Sequence, residues 1–228
     1  MSMRSSNSAA EPSGKQEAPH IAGGDDRASF LYKFGRFFFR QFFRLYRWRV
    51  EGVEHIPKKG GAILAANHAS YLDPPLLGAA APRPVHFMAK KELFGLPILK
   101  TILPAINAYP VARGKPDRAA IRAAYEILSQ GGLFALFPEG TRSRTGELLP
   151  AKRGAALIAL RAGAPVIPVG IVGADRIMPP GSRLPRFPRL TVRFGRPLDL
   201  EPAREMPDKE AVNWMSDQIM DAIDKLRR

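Results

Sequence analysis

From residue 50 onward the chain alternates short apolar runs with longer mixed stretches, and this alternation constrains the fold more than any other feature. The runs are 61–66 (GAILAA), 84–89 (PVHFMA), 107–111, 133–137 (LFALF), 165–171 (PVIPVGI) and 190–194 (LTVRF). Each has the length of a buried strand and is too short for an ordinary helix. Between them lie candidate helices at 74–80, 91–104 in broken form, 117–130, 152–163 and 208–227. Asp117 and Asp208 stand where N-caps belong, and Gly131 where a helix stops. Strands alternating with helices predict an α/β domain: a mixed, mostly parallel sheet with helices on its faces. Residues 50–228 form this single domain, with no internal repeat.

Composition narrows the function classes. The chain has 228 residues and no Cys, which excludes disulfides, Cys-ligated zinc, iron–sulfur clusters and a Cys nucleophile. Lys and Arg number 35 against 21 Asp and Glu, a net charge of +14 that calls for an anionic partner. Eleven basic and two acidic residues fall within 141–196, so that surface is the one expected to meet the anion. The most apolar stretches, 93–112 and 154–174, are interrupted by Lys100, Arg161 and several prolines, so neither reads as a membrane span. Residues 1–26 are polar, rich in Ser, Gly, Ala and Pro, and predict a disordered tail without a secretory signal.

Residues 27–49 hold seven basic residues, no acidic residue and ten aromatics. On a helical wheel at about 100° per residue, Lys33, Arg36, Arg40, Arg44 and Arg47 share one side. Leu31, Phe34, Phe38, Phe42 and Leu45 cluster on the other. The pattern predicts a basic amphipathic helix lying in a membrane interface, arginines toward anionic headgroups and aromatics in the acyl boundary. The competing reading is a helix docked on the domain's own core with its basic side in solvent. The number of large aromatics exceeds what one docking face requires, which favours the membrane.

Two stretches carry the chemistry. Asn67-His68-Ala69-Ser70-Tyr71-Leu72-Asp73 follows the apolar run 61–66. On a regular helix His68 and Asp73 would not face each other, but Asp73 can N-cap a helix that starts with Pro74 at its first position. His68 then lies in the strand-to-helix loop and can fold back to the carboxylate, the wiring of a general base. Taken alone, such a pair is better read as a capping Asp beside a structural His. The second stretch, Phe137-Pro138-Glu139-Gly140-Thr141-Arg142-Ser143, follows the run 133–137. Gly140 allows a tight turn, and Thr141, Arg142 and Ser143 are donors suited to phosphate. Lys152 adds charge nearby, and Arg113, closing a strand, is a second candidate anion contact, although a strand-ending Arg is usually solvated. Pro168 interrupts the run 165–171 and reads as a buried edge or bulged strand.

Together these blocks resemble the 1-acylglycerol-3-phosphate O-acyltransferase family. NHASYLD at 67–73, AYPVARG at 108–114, FPEGTRS at 137–143 and VIPV at 166–169 match its motifs in order and spacing. KKELFGLP at 90–97 adds to the likeness, which spans about residues 50–200. The resemblance implies a glycerolipid-acyltransferase fold with His68 as catalytic base and Asp73 as its partner. It places Arg113, Glu139, Gly140, Thr141, Arg142 and Lys152 at the glycerol-phosphate end of a lysophospholipid acceptor, and Pro168 in the block shaping the acyl pocket. It implies acyl-CoA or acyl-carrier protein as co-substrate and no further cofactor; no metal is expected, because His20, His55 and His86 show no ligand spacing. The expected activity is acylation of the sn-2 hydroxyl of 1-acylglycerol-3-phosphate at the cytoplasmic face of a membrane. Two alternatives are another lysolipid acceptor, such as lyso-ornithine lipid, and a non-enzymatic basic membrane-binding protein. Nucleic acid is not expected, because no base-reading module accompanies the charge.

Overall fold

The computed structural model describes residues 26–111, 118–179, 181–182 and 184–228. The tail expected over residues 1–26 falls, but for Asp26, outside the described residues, as do Arg113 and the Asp117 cap. Seven strands make one sheet: β1 (Arg49–Glu51), β2 (Ala62–Ala66), β3 (Val85–Lys90), β4 (Ala108–Val111), β5 (Leu133–Leu136), β6 (Val166–Val172) and β7 (Thr191–Phe194). Their order is β1-β7-β6-β2-β5-β3-β4. The strands from β6 to β4 run parallel, β7 is antiparallel to β6, and β1 is parallel to β7. The sheet is therefore mixed and mostly parallel. β1 escaped the sequence reading because its three residues, Arg-Val-Glu, carry no apolar run.

The helices are α1 (Asp26–Arg44), α2 (Asp73–Ala80), α3 (Leu99–Ala105), α4 (Arg118–Ser129), α5 (Gly154–Ala162), α6 (Glu201–Arg204) and α7 (Asp208–Arg227). The expected broken helix is a 3-10 turn at Lys91–Gly95 followed by α3. β2 sits at the centre, buried throughout, and its alternating side chains feed two cores. Ala62, Leu64 and Ala66 join Phe43, Leu76 and Leu77 under α1 and α2. Ile63 and Ala65 join Ile127, Ile158 and Ile219 under α4, α5 and α7. α7 lies directly on β6: a Cβ at Gly170 would stand 2.5 Å from the Leu226 backbone.

Local chemistry explains several boundaries. α4 stops at Gly131 as expected: Gly132 N–H donates to Ile127 O and Gly131 N–H to Leu128 O, the two bonds of a Schellman end. Asp208 is not the cap of α7; it is the first helical residue, and Pro207 is the N-cap. Pro168 lies in a central strand, not on an edge. It pairs with Ala65 of β2, and its carbonyl accepts from Gly195 N–H on the other side. Its missing N–H falls where β7 ends at Phe194, so the proline marks the end of the β6–β7 ladder without exposing the strand.

α1 docks, but not with the side the helical wheel selects. Tyr32, Phe43 and the adjoining Tyr46 are buried, Phe39 and Phe42 half-buried, and Arg36 turns inward to donate to Ala81 O at 2.5 Å. Tyr32 Oη accepts from Val85 N–H at 3.0 Å, tying the helix to β3. Phe30, Leu31, Phe34, Phe37, Phe38 and Leu45 remain exposed. No helix among the described residues is long and apolar enough to cross a membrane.

His86 of β3 is buried on the α4 side and shares a 3.2 Å hydrogen bond with Tyr109 Oη of β4. Burial lowers its imidazole from 6.5 to about 4. The unfolded chain therefore takes up the proton first, and stability is lost as pH falls from about 6.5 toward 4. The loss should reach about 3 kcal/mol. Urea titrations across this window should show the decline in the wild type and a much flatter profile in His86→Phe.

Candidate active site

The parallel strands bring the motif loops to one edge of the sheet. β2, β5, β3, β4 and β6 all run the same way, so the loops that follow them emerge at their shared carboxyl ends. In open α/β sheets this is the edge where ligands bind. Residues 67–73 leave β2 there, and residues 137–143 leave β5 beside them.

The His68 and Asp73 side chains meet. Nδ1 of His68 lies 2.8 Å from Oδ2 of Asp73, and both residues are buried. A carboxylate oxygen only accepts, so Nδ1 carries the proton and Nε2 is left as the basic nitrogen. The same Oδ2 accepts from the backbone N–H groups of Ala69 and Ser70, each at 2.7 Å. Asp73 thus does not cap α2 as expected. It is the first residue of that helix, with Leu72 at the N-cap, and its carboxylate turns back over the preceding loop. The imidazole also stacks on Phe137, ring centroids 4.1 Å apart. Two contacts therefore hold the ring, one polar and one aromatic.

The loop after β5 is built around that histidine. Glu139, 2% exposed, accepts from His68 N–H through Oε1 at 2.7 Å and from Leu149 N–H through Oε2 at 2.9 Å. Burial raises its carboxyl above the ordinary value, opposed by the Leu149 and His68 hydrogen bonds. Ser143 N–H donates to His68 O at 2.8 Å, closing a second tie between the loops. Gly140 has φ +65, a left-handed conformation, and a Cβ there would lie 2.7 Å from Lys152 Cδ. That combination brings the Lys152 side chain against the turn. Thr141 is exposed, and the Arg142 guanidinium lies 3.4 Å above the centre of the exposed Tyr71 ring.

Of the residues singled out from sequence, His68, Asp73, Glu139, Gly140, Thr141, Arg142 and Lys152 belong to these two neighbouring loops. Pro168 is buried in β6 and belongs to the sheet. Arg113 lies outside the described residues. Sequence reasoning passed over Asn67, whose amide donates to Ile171 O at 2.9 Å and accepts from Ile171 N–H at 2.7 Å. This two-bond clasp locks the end of β2 to β6. It also passed over Phe137 as a stacking partner and Tyr71 as the platform for Arg142. All three lie inside the quoted motifs, and their position beside His68 and Arg142 was the available signal.

An imidazole oriented by a buried carboxylate, beside a basic, donor-rich loop, is an arrangement suited to general-base chemistry on an anionic substrate. The comparisons with known proteins narrow this class. The family model described as Acyltransferase matches residues 47–172. The 1-acyl-sn-glycerol-3-phosphate acyltransferase of Bacillus subtilis is 32% identical over 179 residues, covering 78% of this chain and 87% of that protein. A chloroplastic relative of the same name from Brassica napus is 31% identical over 140 residues, and the chain spans only 40% of its length. The crystal structure of the 1-acyl-sn-glycerophosphate acyltransferase PlsC from Thermotoga maritima superposes with a TM-score of 0.71 at 29% identity, covering 88% of this chain and 81% of that one. The chain belongs to this acyltransferase family and is an enzyme of that class. A non-enzymatic reading of the basic chain is thereby set aside.

Because both Glu139 oxygens hold backbone N–H groups, Glu139→Gln inserts a donor where an acceptor is needed. The variant should lose about 2 kcal/mol in urea unfolding. In acyl-transfer assays kcat should fall with little change in the acceptor KM. A KM effect alone, at unchanged stability, would show instead that Glu139 contacts substrate.

Proposed function

We propose that the enzyme transfers an acyl group from a thioester donor, acyl-CoA or acyl-carrier protein, to the sn-2 hydroxyl of 1-acylglycerol-3-phosphate, forming phosphatidate. The single observation carrying this reading is the 2.8 Å His68–Asp73 pair at the carboxyl edge of the sheet, in a chain whose relatives bear that acceptor's name. His68 Nε2 takes the proton of the acceptor hydroxyl. The hydroxyl oxygen attacks the thioester carbonyl carbon, and the C–S bond breaks as the tetrahedral intermediate collapses. The departing sulfur receives the proton held by His68, which restores the neutral imidazole. Asp73 keeps Nδ1 protonated throughout and stabilises the transient imidazolium. No covalent acyl-enzyme is needed, and the chain has no Cys to form a thioester with.

The acceptor's phosphate is proposed to meet the basic loop. Arg142, Lys152 and the Thr141 hydroxyl are its donors, with Arg113 a further candidate. Arg142 is presented on Tyr71 and forms no ion pair among the described residues, which suits a fork that must accept an incoming phosphate. An acceptor without a phosphomonoester, such as lyso-ornithine lipid, would depend little on Arg142. Purified protein incubated with lysophosphatidate and labelled acyl donor should yield phosphatidate. His68→Ala should lower kcat by about 10²–10⁴-fold. Product from His68→Ala at the wild-type rate would remove the general-base mechanism.

The membrane reading of α1 is retained in a revised form. The helix carries three stripes: one docked on the core, one basic (Lys33, Arg40, Arg44 and the following Arg47) and one exposed and apolar. The last comprises Phe30, Leu31, Phe34, Phe37, Phe38 and Leu45. An exposed apolar stripe beside a basic one suits the interface of an anionic bilayer on the cytoplasmic face, where the acceptor lipid resides. Replacing Phe34 and Phe38 together with Ser should weaken co-sedimentation with anionic vesicles by tenfold or more. Equal sedimentation of variant and wild type would argue against this placement.

A further inference from the structure

Most of the arginines in residues 141–196 have no part in the site described above, and three of them converge. Arg144, in the loop after β5, Arg176, after β6, and Arg186, before β7, line one cavity of about 430 Å³. All three are exposed. Among the described residues, neither Arg144 nor Arg186 forms an ion pair, and Arg176 is only 4.0 Å from Asp175. Thr145 adds a hydroxyl to the wall, and Phe187 an aromatic face. Phe187 is 66% exposed and leans on Tyr46, centroids 5.1 Å apart.

The cavity's location links it to the dyad. Gly146, Asp175 and Arg176 also line a smaller cavity of about 110 Å³. The walls of that second cavity include Asn67, Ala69 and Asp73. The arginine cluster and the dyad loop therefore adjoin along the same sheet edge. Arg176 and Arg186 lie on the β6–β7 side, and Arg144 joins them from the loop after β5 that also carries Arg142 and Lys152.

We propose that this cavity binds the phosphorylated nucleotide of an acyl-coenzyme A donor. Guanidinium forks match phosphate oxygens, and three of them around one concavity suit a ligand bearing several phosphates close together. Phe187 offers the purine a stacking surface. The volume lies within the roughly 300–1,000 Å³ of small-molecule sites. A compact concavity of this size matches a nucleotide more closely than it matches the broader face, roughly 800 Å² per partner, of a protein–protein interface. From here the flexible pantetheine arm carries the thioester along the edge toward His68.

This inference rests on the thioester-dependent acyl transfer proposed above, and the test separates the two. Full-length wild type and the double variant Arg144→Ser/Arg186→Ser are compared in two measurements. Both positions are exposed, and matched thermal melts confirm that the variant is folded. Calorimetric titration with coenzyme A and with adenosine 3′,5′-bisphosphate reads binding without catalysis. Steady-state kinetics with acyl-CoA, acyl-carrier protein and lysophosphatidate read the reaction. The wild type should bind both nucleotides, and the bisphosphate should compete with acyl-CoA. In the variant, nucleotide affinity should fall and the acyl-CoA KM rise by at least tenfold, with the lysophosphatidate KM unchanged. A rise confined to the lysophosphatidate KM would overturn the proposal by assigning the cavity to the acceptor. Absence of nucleotide binding by the wild type, with acyl-carrier protein turnover lost in the variant, would overturn it in favour of a protein donor. Nucleotide binding that depends on these arginines in a protein transferring no acyl group would support the cavity assignment and refute the proposed reaction.

Discussion

One carboxylate oxygen organises the site. Oδ2 of Asp73 accepts from His68 Nδ1 and from the N–H groups of Ala69 and Ser70. Three donors on one oxygen define the shape of the loop between β2 and α2. They also define the tautomer and direction of the imidazole. A buried carboxylate oxygen is costly unless it is hydrogen-bonded, so the loop that satisfies Oδ2 of Asp73 is also the loop that presents His68, while Oδ1 is buried without a partner among the described residues. Structure and reactivity depend on the same atoms here.

Around that oxygen, two further clasps hold the carboxyl edge together. Asn67 fastens the end of β2 to β6 through both atoms of its amide, and Glu139 fastens His68 to the loop after β5 through both atoms of its carboxylate. The arrangement joins three neighbouring strands of the parallel sheet, β6, β2 and β5, at their shared end. Parallel strands cannot be linked by tight hairpins, so each returns through a crossover and the loops at their carboxyl ends gather at one edge. The side chains proposed to bind and react, His68 and Arg142 among them, therefore stand on these loops, and the buried Asn67 and Glu139 hold the loops in place.

α1 shows how tertiary context divides one amphipathic pattern. A helical wheel separates two sides, basic and apolar. The folded chain has three, because Tyr32, Phe39 and Phe43 form a docking stripe between them and Arg36 is drawn in to cap Ala81 O. The helix is thus both a core element and the carrier of an uncovered aromatic stripe. Composition could count the aromatics, but only the position of α2 and β3 decides which of them are covered.

Much of the fold was legible in the sequence. Buried parallel strands are continuous apolar runs, and those at 61–66, 133–137 and 165–171 are visible without any partner. The three-residue β1 and the four-residue α6 were not, since neither carries enough apolar pattern to stand out. In the site, spacing and proline placement told that His68 and Asp73 could meet. Glu139 illustrates the limit: its motif marks it as important, but whether its carboxylate faces substrate or backbone depends on Leu149, ten residues away in the chain. The arginine cavity is the same case, drawing Arg144, Arg176 and Arg186 from three separate loops. By itself the sequence determined the α/β class, the strand runs and the residues able to act as base and anion donors, because these follow from local pattern and side-chain chemistry. Only the tertiary structure decided strand order, which face of α1 is covered, and which polar groups are consumed in holding the loops. Those outcomes depend on contacts between segments that no local pattern encodes.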